Sequence, residues 1–541
     1  MKRVLLISEF SELSTGYANY SKNLLKGLAQ SNKYEVAELA GYCEVGDPRI
    51  DNGAWKIYPS KPNRNDTHNL ELYNRDKQND FCKGVFHQVC LEFRPDYVLN
   101  ITDYWYANWV NYSPYKECFN WIWMPTVDSL NQNAEWLNVY KECDAVLTYT
   151  DWSGEVLKDE GRIFSMGQAP PCASEEFFPM NKDQCKDFFG ISPNTKIIGF
   201  VARNQRRKLI PDLCRSFAEF SKERNDVVLW LHTSYPDNQG WNIPEILMEN
   251  GICSKVVFTY YCQNCREVKV RHFSGASGWC QKCGTYSMAP SNVSGAIPDF
   301  IMSRIFNSFD LYVQYALAEG FGVPAIQAAA CGVPIIETNY SAMEDIALKL
   351  GSMKVDPIVL YDEIETGCKR ASHNNAELVK LFREFFDQPK LIREKIGADT
   401  RKKYVENYSW DRTVNKWIQT IDSLPKKGWN KPYKLHQPHL YQEFNGPNSD
   451  YVRWLIQYVL GEPDKLGTFF ELKLLSDLNF GQTRRIPQLY FVEDSYAFGE
   501  RKFEPFGRKE AYDMCVNLCM NRNNLESMRS KADESIVHRS V

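Results

Sequence analysis

No stretch of this 541-residue chain approaches the roughly 18 consecutive apolar residues that a membrane-spanning helix requires. The basic start, MKRVLLISEF, is apolar only from Val4 to Ile7 before Ser8 and Glu9, too short for the core of a secretion signal, and reads as a first β-strand. A cytoplasmic chain without an anchor is expected. Excess charge is also missing. With 64 Lys and Arg against 68 Asp and Glu the formal charge is −4 and the isoelectric point near 6.2, so any contact with nucleic acid has to be local. The chain has no internal repeat and no low-complexity tract. It also lacks a dinucleotide fingerprint: SEFSELSTGYANYSK carries one glycine where three are needed, which removes a nicotinamide-dependent dehydrogenase. Seventeen cysteines, an odd number in a long chain, point to reduced thiols rather than a disulfide framework.

What is present is the composition of a soluble globular protein, 43% apolar and 24% charged, at a length that asks for two or more domains. Over residues 1–170 short apolar runs such as VLLIS, DYVLNIT and FNWIWMPT alternate with helix-like segments such as GYANYSKNLLKGLAQ. A second series, from KIIGFVARN to VPIIETN, lies within residues 188–409. This alternation predicts an α/β protein with two doubly wound parallel sheets in tandem. GQAPPCASEEFFPM, rich in proline and without periodicity, is the linker between them. WDRTVNKWIQTIDSL, residues 410–424, places Trp410, Val414, Trp417, Ile418 and Ile421 on one helical face, and residues 425–541 form a less regular C-terminal extension.

Two stretches carry chemistry. In EGFGVPAIQAAACGVPIIE, residues 319–337, a strand ends near Ala318 and is followed by a carboxylate, a Gly-x-Gly turn and a proline opening a small-residue helix. Such a turn aims free N–H groups and a helix N-terminus at one point, which suits a phosphate. Gly320 and Gly322 permit close approach of the backbone, and Ala325, Ala328, Ala329 and Ala330 let the helix lie tight on a sheet. Glu319 repels phosphate but accepts hydrogen bonds from hydroxyls, so a phosphorylated sugar meets both demands; an ordinary packing turn would show the same pattern. In CQNCREVKVRHFSGASGWCQKC, Cys262, Cys265, Cys280 and Cys283 form two C-x-x-C knuckles, a spacing that suits a tetrahedral zinc ion. Four sulfur ligands make that zinc structural, within a ribbon insertion over residues 259–287. Arg266, Lys269, Arg271 and His272 stand between the knuckles against one acid, Glu267, and read as a solvated hairpin face or a nucleic-acid contact. The tail segment GQTRRIPQLYFVEDSYAFGERKFEPFGRKEAY interleaves cations and aromatics, which suits phosphates and unstacked bases or a small domain packed on its neighbour.

The stretch from Glu319 resembles the Glu-x7-Glu motif of the retaining GT-B glycosyltransferases of family 4. Other pieces agree in order: the first-strand loop with Gly16, PDYVLNITDYW, DAVLTYTDWSGEVL, GFVARNQRRK and YSWDRTVNKW. The resemblance covers roughly residues 1–424. It implies two Rossmann-like domains facing a cleft, an N-terminal one for the acceptor (1–170) and a C-terminal one for the nucleotide sugar (188–409), with the helix 410–424 crossing back to the first. It implies that Arg203 and Lys208 hold the donor diphosphate and stabilise its charge as it leaves; without the resemblance RNQRRK reads equally as a solvated loop, and Arg206 and Arg207 are read as just that. Gly16 then lets a loop approach the phosphates, Glu319 contacts the hydroxyls of the donor sugar, and Gly320, Phe321 and Gly322 pass beneath the phosphates.

Two positions depart from the family. Its second Glu falls on Gln327, which still reaches a ribose diol but without charge assistance, a difference of about 1 kcal/mol. Its frequent His after the fourth strand is absent; in MPTVDS the nearest polar groups are Thr126 and Asp128. Asp128 either holds the acceptor hydroxyl or takes its proton, or it caps a following helix. The resemblance further implies attack on the same face, retention at the anomeric carbon and no obligatory catalytic metal, in keeping with the lack of an Asp-x-Asp motif near the cleft segments. The expected activity is hexosyl or pentosyl transfer from a nucleotide-diphosphate sugar to a hydroxyl. The ribbon and the basic aromatic tail favour DNA bearing a hydroxymethylated pyrimidine, as in phage genomes, as the acceptor; a surface glycan or small molecule is the alternative, and a catalytically silent GT-B binding protein is a reading from another class.

Overall fold

A computed structural model describes the chain except residues 52, 114, 292–296, 430–435, 485–502 and 538–541. It divides into two compact units, one of residues 1–82, 97–108 and 120–425, the other of residues 83–96, 109–119 and 426–541.

The first unit holds two parallel sheets. In one, β1 (Lys2–Glu9), β2 (Tyr34–Glu44), β3 (Lys56–Lys61), β4 (Tyr97–Thr102), β5 (Asn120–Pro125) and β6 (Ala145–Val146) run in the order β3-β2-β1-β4-β5-β6. Every residue of β4 and β5 is buried, as expected of strands covered on both faces. The order reverses between β1 and β4, where Val4 pairs with Tyr97, so the loops leaving these strands diverge and open a crevice.

The other sheet contains β7 (Lys196–Val201), β8 (Val227–His232), β9 (Val256–Cys262), β10 (Val268–Arg271), β11 (Met288–Pro290), β12 (Leu311–Gln314), β13 (Ile335–Thr338) and β14 (Met353–Val355). Its order is β10-β9-β8-β7-β12-β13-β14, with the reversal between β7 and β12. The loop after β7 and the turn after β12 therefore meet at this second crevice. β9 pairs in parallel with β8 only from Val256 to Phe258 and runs on to Cys262, where β10 and β11 pair with it antiparallel. The four-cysteine ribbon is thus a prolongation of a core strand.

The helix Trp410–Ser423 packs on the helix Gly16–Gln30. Trp417 and Ile421 are fully buried, and Trp417 Nε1 donates to the Tyr20 hydroxyl at 2.8 Å. Gly27 makes room for this contact, since a Cβ there would lie 2.6 Å from Val414. The apolar face of the helix thereby joins the end of the second sheet's series to the first.

The second unit is helical, with Lys83–Phe93, Asn448–Trp454, Phe469–Phe480 and Arg508–Val537 as its main elements. Tyr451, Leu455, Ile456, Val459, Leu474 and Cys515 form its core. Two excursions from the first third of the chain belong to it: Trp429 Nε1 donates to the Pro95 carbonyl at 2.9 Å, and Lys426 pairs with Asp96 at 2.8 Å. Of the basic aromatic tail, residues 485–502 lie outside the described residues. Arg508 donates to Gly446 O and Asn448 Oδ1 and lies over the Tyr451 ring, and Lys509 pairs with Asp513, so both cations serve the unit's own packing. All seventeen cysteines are free of disulfides, and among the described residues no helix is long and apolar enough to cross a membrane.

Candidate functional site

The turn after β12 is fixed by an antiparallel bridge between Lys208 and Ala316 and by the Leu317 N–H, which donates to the Arg207 carbonyl at 2.8 Å. The loop after β7 is thereby laid against Glu319, which is 5% exposed. Glu319 Oε1 accepts from Lys208 Nζ and from Gln314 Nε2 at 3.0 Å, and Oε2 accepts from Arg207 Nη1 at 2.7 Å. Its own N–H donates to Ser341 Oγ at 3.0 Å. The same Nη1 of Arg207 donates to the Ala318 carbonyl at 2.9 Å. Burial, with the Arg207 guanidinium adding to it, pushes the Lys208 ammonium well below its ordinary pKa.

Arg207, expected as a solvated loop residue, is therefore a direct partner of the motif carboxylate, because the bridge through Lys208 turns it inward. Arg203 is not brought to this cluster: its Nε lies 2.8 Å and its Nη2 3.4 Å from the carboxylate of Asp237. Asp237 is held in turn by Ser234 Oγ and the Gln239 N–H.

Gly322, at φ +107°, precedes the helix Val323–Ala330 and takes a backbone conformation that a side chain would strain. Gly320 has another reason to lack a Cβ, which would lie 2.2 Å from Thr126 Cγ2 at the end of β5. The turn therefore abuts the first sheet directly. Phe321 is buried beside the rings of Tyr149 and Tyr408 and anchors the turn. Gln327 is partly exposed on the helix. Gly16 opens the first helix behind its cap, Thr15, and nothing lies within 4 Å of its missing Cβ.

On the facing sheet, Asp103 follows β4. The Tyr17 hydroxyl donates to Asp103 Oδ1 at 2.7 Å and lies 2.6 Å from Thr126 Oγ1. Burial raises the Asp103 carboxyl above its ordinary pKa, the Tyr17 and Thr126 hydroxyls oppose that, and Asp128 adds to it. Glu9, the last residue of β1, is raised by burial and by the nearby Asp103. Asp128 Oδ2 lies 3.0 Å from Arg370 Nη1, and Arg370 also pairs with Glu363 at 2.8 Å. The capping alternative for Asp128 is overturned: the following helix, Ala134–Lys141, is capped by Asn133, whose side chain accepts from the Glu135 N–H. Sequence reasoning missed Arg207, Asp103, Tyr17 and Arg370. An Asp directly after the buried run YVLNIT was the one available signal, since strand ends in such sheets face the crevice.

The four cysteines meet as their spacing predicts. Their Sγ atoms all lie within 4.8 Å of one another, with Cys262–Cys283 and Cys265–Cys280 each at 3.6 Å. A tetrahedral tetrathiolate with Zn–S bonds of about 2.3 Å needs S···S separations of roughly 3.8 Å. The donor set fits. Ser287 Oγ and Thr285 Oγ1 approach Cys262 and Cys283 at 2.9 and 3.0 Å, and the Cys265 N–H donates to Cys262 Sγ. The lobe between the knuckles is less basic than its composition suggests. Glu267 pairs with both Lys269 and Lys282, Arg271 lies over the Tyr260 ring at 4.3 Å, and the His272 ring bonds the Val256 carbonyl.

Residues 290–403 match the family described as Glycosyl transferases group 1. The D-inositol 3-phosphate glycosyltransferases of Rhodococcus opacus (strain B4) and Rhodococcus erythropolis (strain PR4 / NBRC 100887) are 21% identical over 257 residues, 47% of this chain and 46% and 47% of theirs. The chain thus spans about half the length of the curated relatives it matches. Sucrose-phosphate synthase from Thermosynechococcus elongatus superimposes with a TM-score of 0.57 at 15% identity, over 78% of this chain and 99% of that one. Anabaena HepE in complex with UDP and glucose gives a TM-score of 0.52 at 11% identity, over 78% and 100%. The two facing sheets, with the Glu319 turn on the second, are the GT-B fold of glycosyltransferases.

Proposed function

We propose that the protein transfers a sugar from a nucleoside-diphosphate sugar to a hydroxyl group, with retention at the anomeric carbon. The observation that carries this reading is the meeting of Lys208, Arg207 and Glu319 at the turn before the helix Val323–Ala330. Cations there stabilise the charge that develops on a leaving diphosphate, where such a reaction needs help. Glu319 suits the sugar hydroxyls. In the step itself the acceptor oxygen bonds to the anomeric carbon and the bond from that carbon to the diphosphate oxygen breaks. The acceptor proton passes to the departing phosphate oxygen. The group 1 match and the glycosyltransferase activity named for the Rhodococcus relatives support the same reading.

For the acceptor we favour a small hydroxylated molecule or glycan. Asp103 and Asp128 lie near enough to Arg207 of the turn to act on its charge, and with the Tyr17 and Thr126 hydroxyls they offer hydrogen-bond partners that suit a polyol. A hydroxymethylated pyrimidine in DNA remains the second reading, resting on Arg266 and the tail, because the other ribbon cations named above are engaged locally. The ribbon carries one structural zinc ion and no catalytic metal is required.

The test incubates the protein with a pool of nucleotide sugars and follows nucleotide release. The acceptors are hydroxymethylated DNA, ordinary DNA, and a panel of polyols and glycans. Release that disappears in Glu319→Ala supports transfer; a sugar mass on the modified base alone would restore the DNA acceptor. Silence across the pool would favour a binding protein. Elemental analysis should return one zinc per chain, and none after Cys262→Ser with Cys280→Ser.

A further inference from the structure

Within the donor site Arg203 and Arg207 of RNQRRK have exchanged the places that the motif spacing assigns them. Arg203 spends Nε and Nη2 on Asp237, a carboxylate that is itself buried and anchored. Arg207 uses only Nη1, on Glu319 Oε2 and the Ala318 carbonyl; among the described residues its Nε and Nη2 have no hydrogen-bond partner. Its side chain is 41% exposed, and Asp128 and Asp103 of the opposite sheet lie near enough to act on its charge. Lys208 binds the other oxygen of the same carboxylate. Glu319 therefore carries two cations on its two oxygens, the arrangement that two cations would adopt around an anion placed beside them.

We propose that Arg207, rather than Arg203, joins Lys208 in binding the donor diphosphate, and that it does so by exchange, the phosphate oxygens displacing the Glu319 carboxylate from both cations. The exchange leaves Glu319 bonded to Gln314 Nε2 and releases its remaining lone pairs to the hydroxyls of the donor sugar. Diphosphate binding is thus a precondition for sugar recognition, and the carboxylate holds the anion site in the absence of donor. This rests on the glycosyl-transfer reading above.

The experiment titrates uridine, guanosine, adenosine and thymidine diphosphates into the full chain by calorimetry, with circular dichroism melting of each variant to check folding. One of these diphosphates is expected to bind. Arg207→Ala should weaken it about tenfold to a hundredfold, the range for a charge-assisted contact; Arg207→Lys should recover part of the loss, and Arg203→Ala should change affinity by no more than about threefold. Glu319→Gln separates exchange from simple support: by removing the competing carboxylate it should tighten diphosphate binding several-fold while abolishing transfer. A larger loss in Arg203→Ala than in Arg207→Ala, or weaker binding in Glu319→Gln, overturns the proposal and leaves the glycosyl-transfer reading standing. No diphosphate bound by the wild type, or binding indifferent to Lys208→Ala, removes that reading and the proposal with it.

Discussion

The two sheets of the first unit end in opposite chemistry. Strands β7 and β12 lead to Lys208, Arg207 and a carboxylate that both cations neutralise. Strands β1, β4 and β5 lead to Glu9, Asp103 and Asp128, joined by the hydroxyls of Tyr17 and Thr126. A fold that looks like the same unit used twice presents a cationic cluster on one sheet and a cluster of carboxyls and hydroxyls on the other, which meet where Gly320 leaves no room for a Cβ beside Thr126. The difference teaches that one backbone plan can carry opposite chemistry, because the strand-end residues are free to differ where the strand order reverses.

The strongest way to break the comparison is to discharge the cationic cluster. Lys208→Ala should cut donor turnover about a thousandfold, roughly 4 kcal/mol of transition-state stabilisation, measured as nucleotide release. Next comes the buried carboxyl of Glu337 on β13. Burial pushes it up to about 8, Ser352 Oγ donates to Oε1 at 3.1 Å, and Oε2 has no partner among the described residues. The folded chain keeps a proton there that the unfolded chain releases above its ordinary pKa. That contribution to stability is complete below about pH 4.5 and is lost as pH rises towards 8, so by about pH 7 Glu337→Gln should have gained about 3 kcal/mol on the wild type in denaturant melts.

The seam can be probed by Gly320→Ala, whose Cβ would collide with Thr126 Cγ2. It should cost about 2 kcal/mol of stability, and Thr126→Ser in the same chain should restore most of it. In the cluster of carboxyls and hydroxyls, Asp103→Asn should lower transfer about tenfold through the acceptor KM, with nucleoside-diphosphate affinity unchanged in calorimetry. A fall in diphosphate affinity would deny the division of labour. The smallest effect belongs to Gln327→Glu, which should tighten the donor by about 1 kcal/mol if the side chain meets the ribose diol.

Much of this was legible in the sequence where the signal was local. The alternation of apolar runs and helical segments marked the α/β class, and the knuckle spacing placed the four sulfurs because each C-x-x-C is a single tight turn. Glu319 and the turn beside it were readable for the same reason. Arg207 was not, because its direction is set by a bridge between Lys208 and Ala316, more than a hundred residues apart. For Asp128 the sequence left an acceptor-hydroxyl role and a local cap both open, and its pairing with Arg370 is one that no short-range pattern announces. The second unit was illegible for a related cause: residues 83–96 and 109–119 look like parts of the first alternating series, and only tertiary contacts such as Trp429 to Pro95 assign them elsewhere.

The continuation of β9 into the cysteine ribbon bears on solubility. Beyond Phe258 this strand is paired by β10 and β11 alone; β10 lies in the loop that the sulfurs close, and β11 follows its last cysteine, Cys283. If those thiols were oxidised or stripped of metal, what comes loose is the cover over an apolar strand, VVFTYYC, whose bare N–H and C=O groups would template pairing with another chain. The ribbon is in that sense a guard on a sheet edge, and Cys262→Ser with Cys280→Ser should show itself first as aggregation.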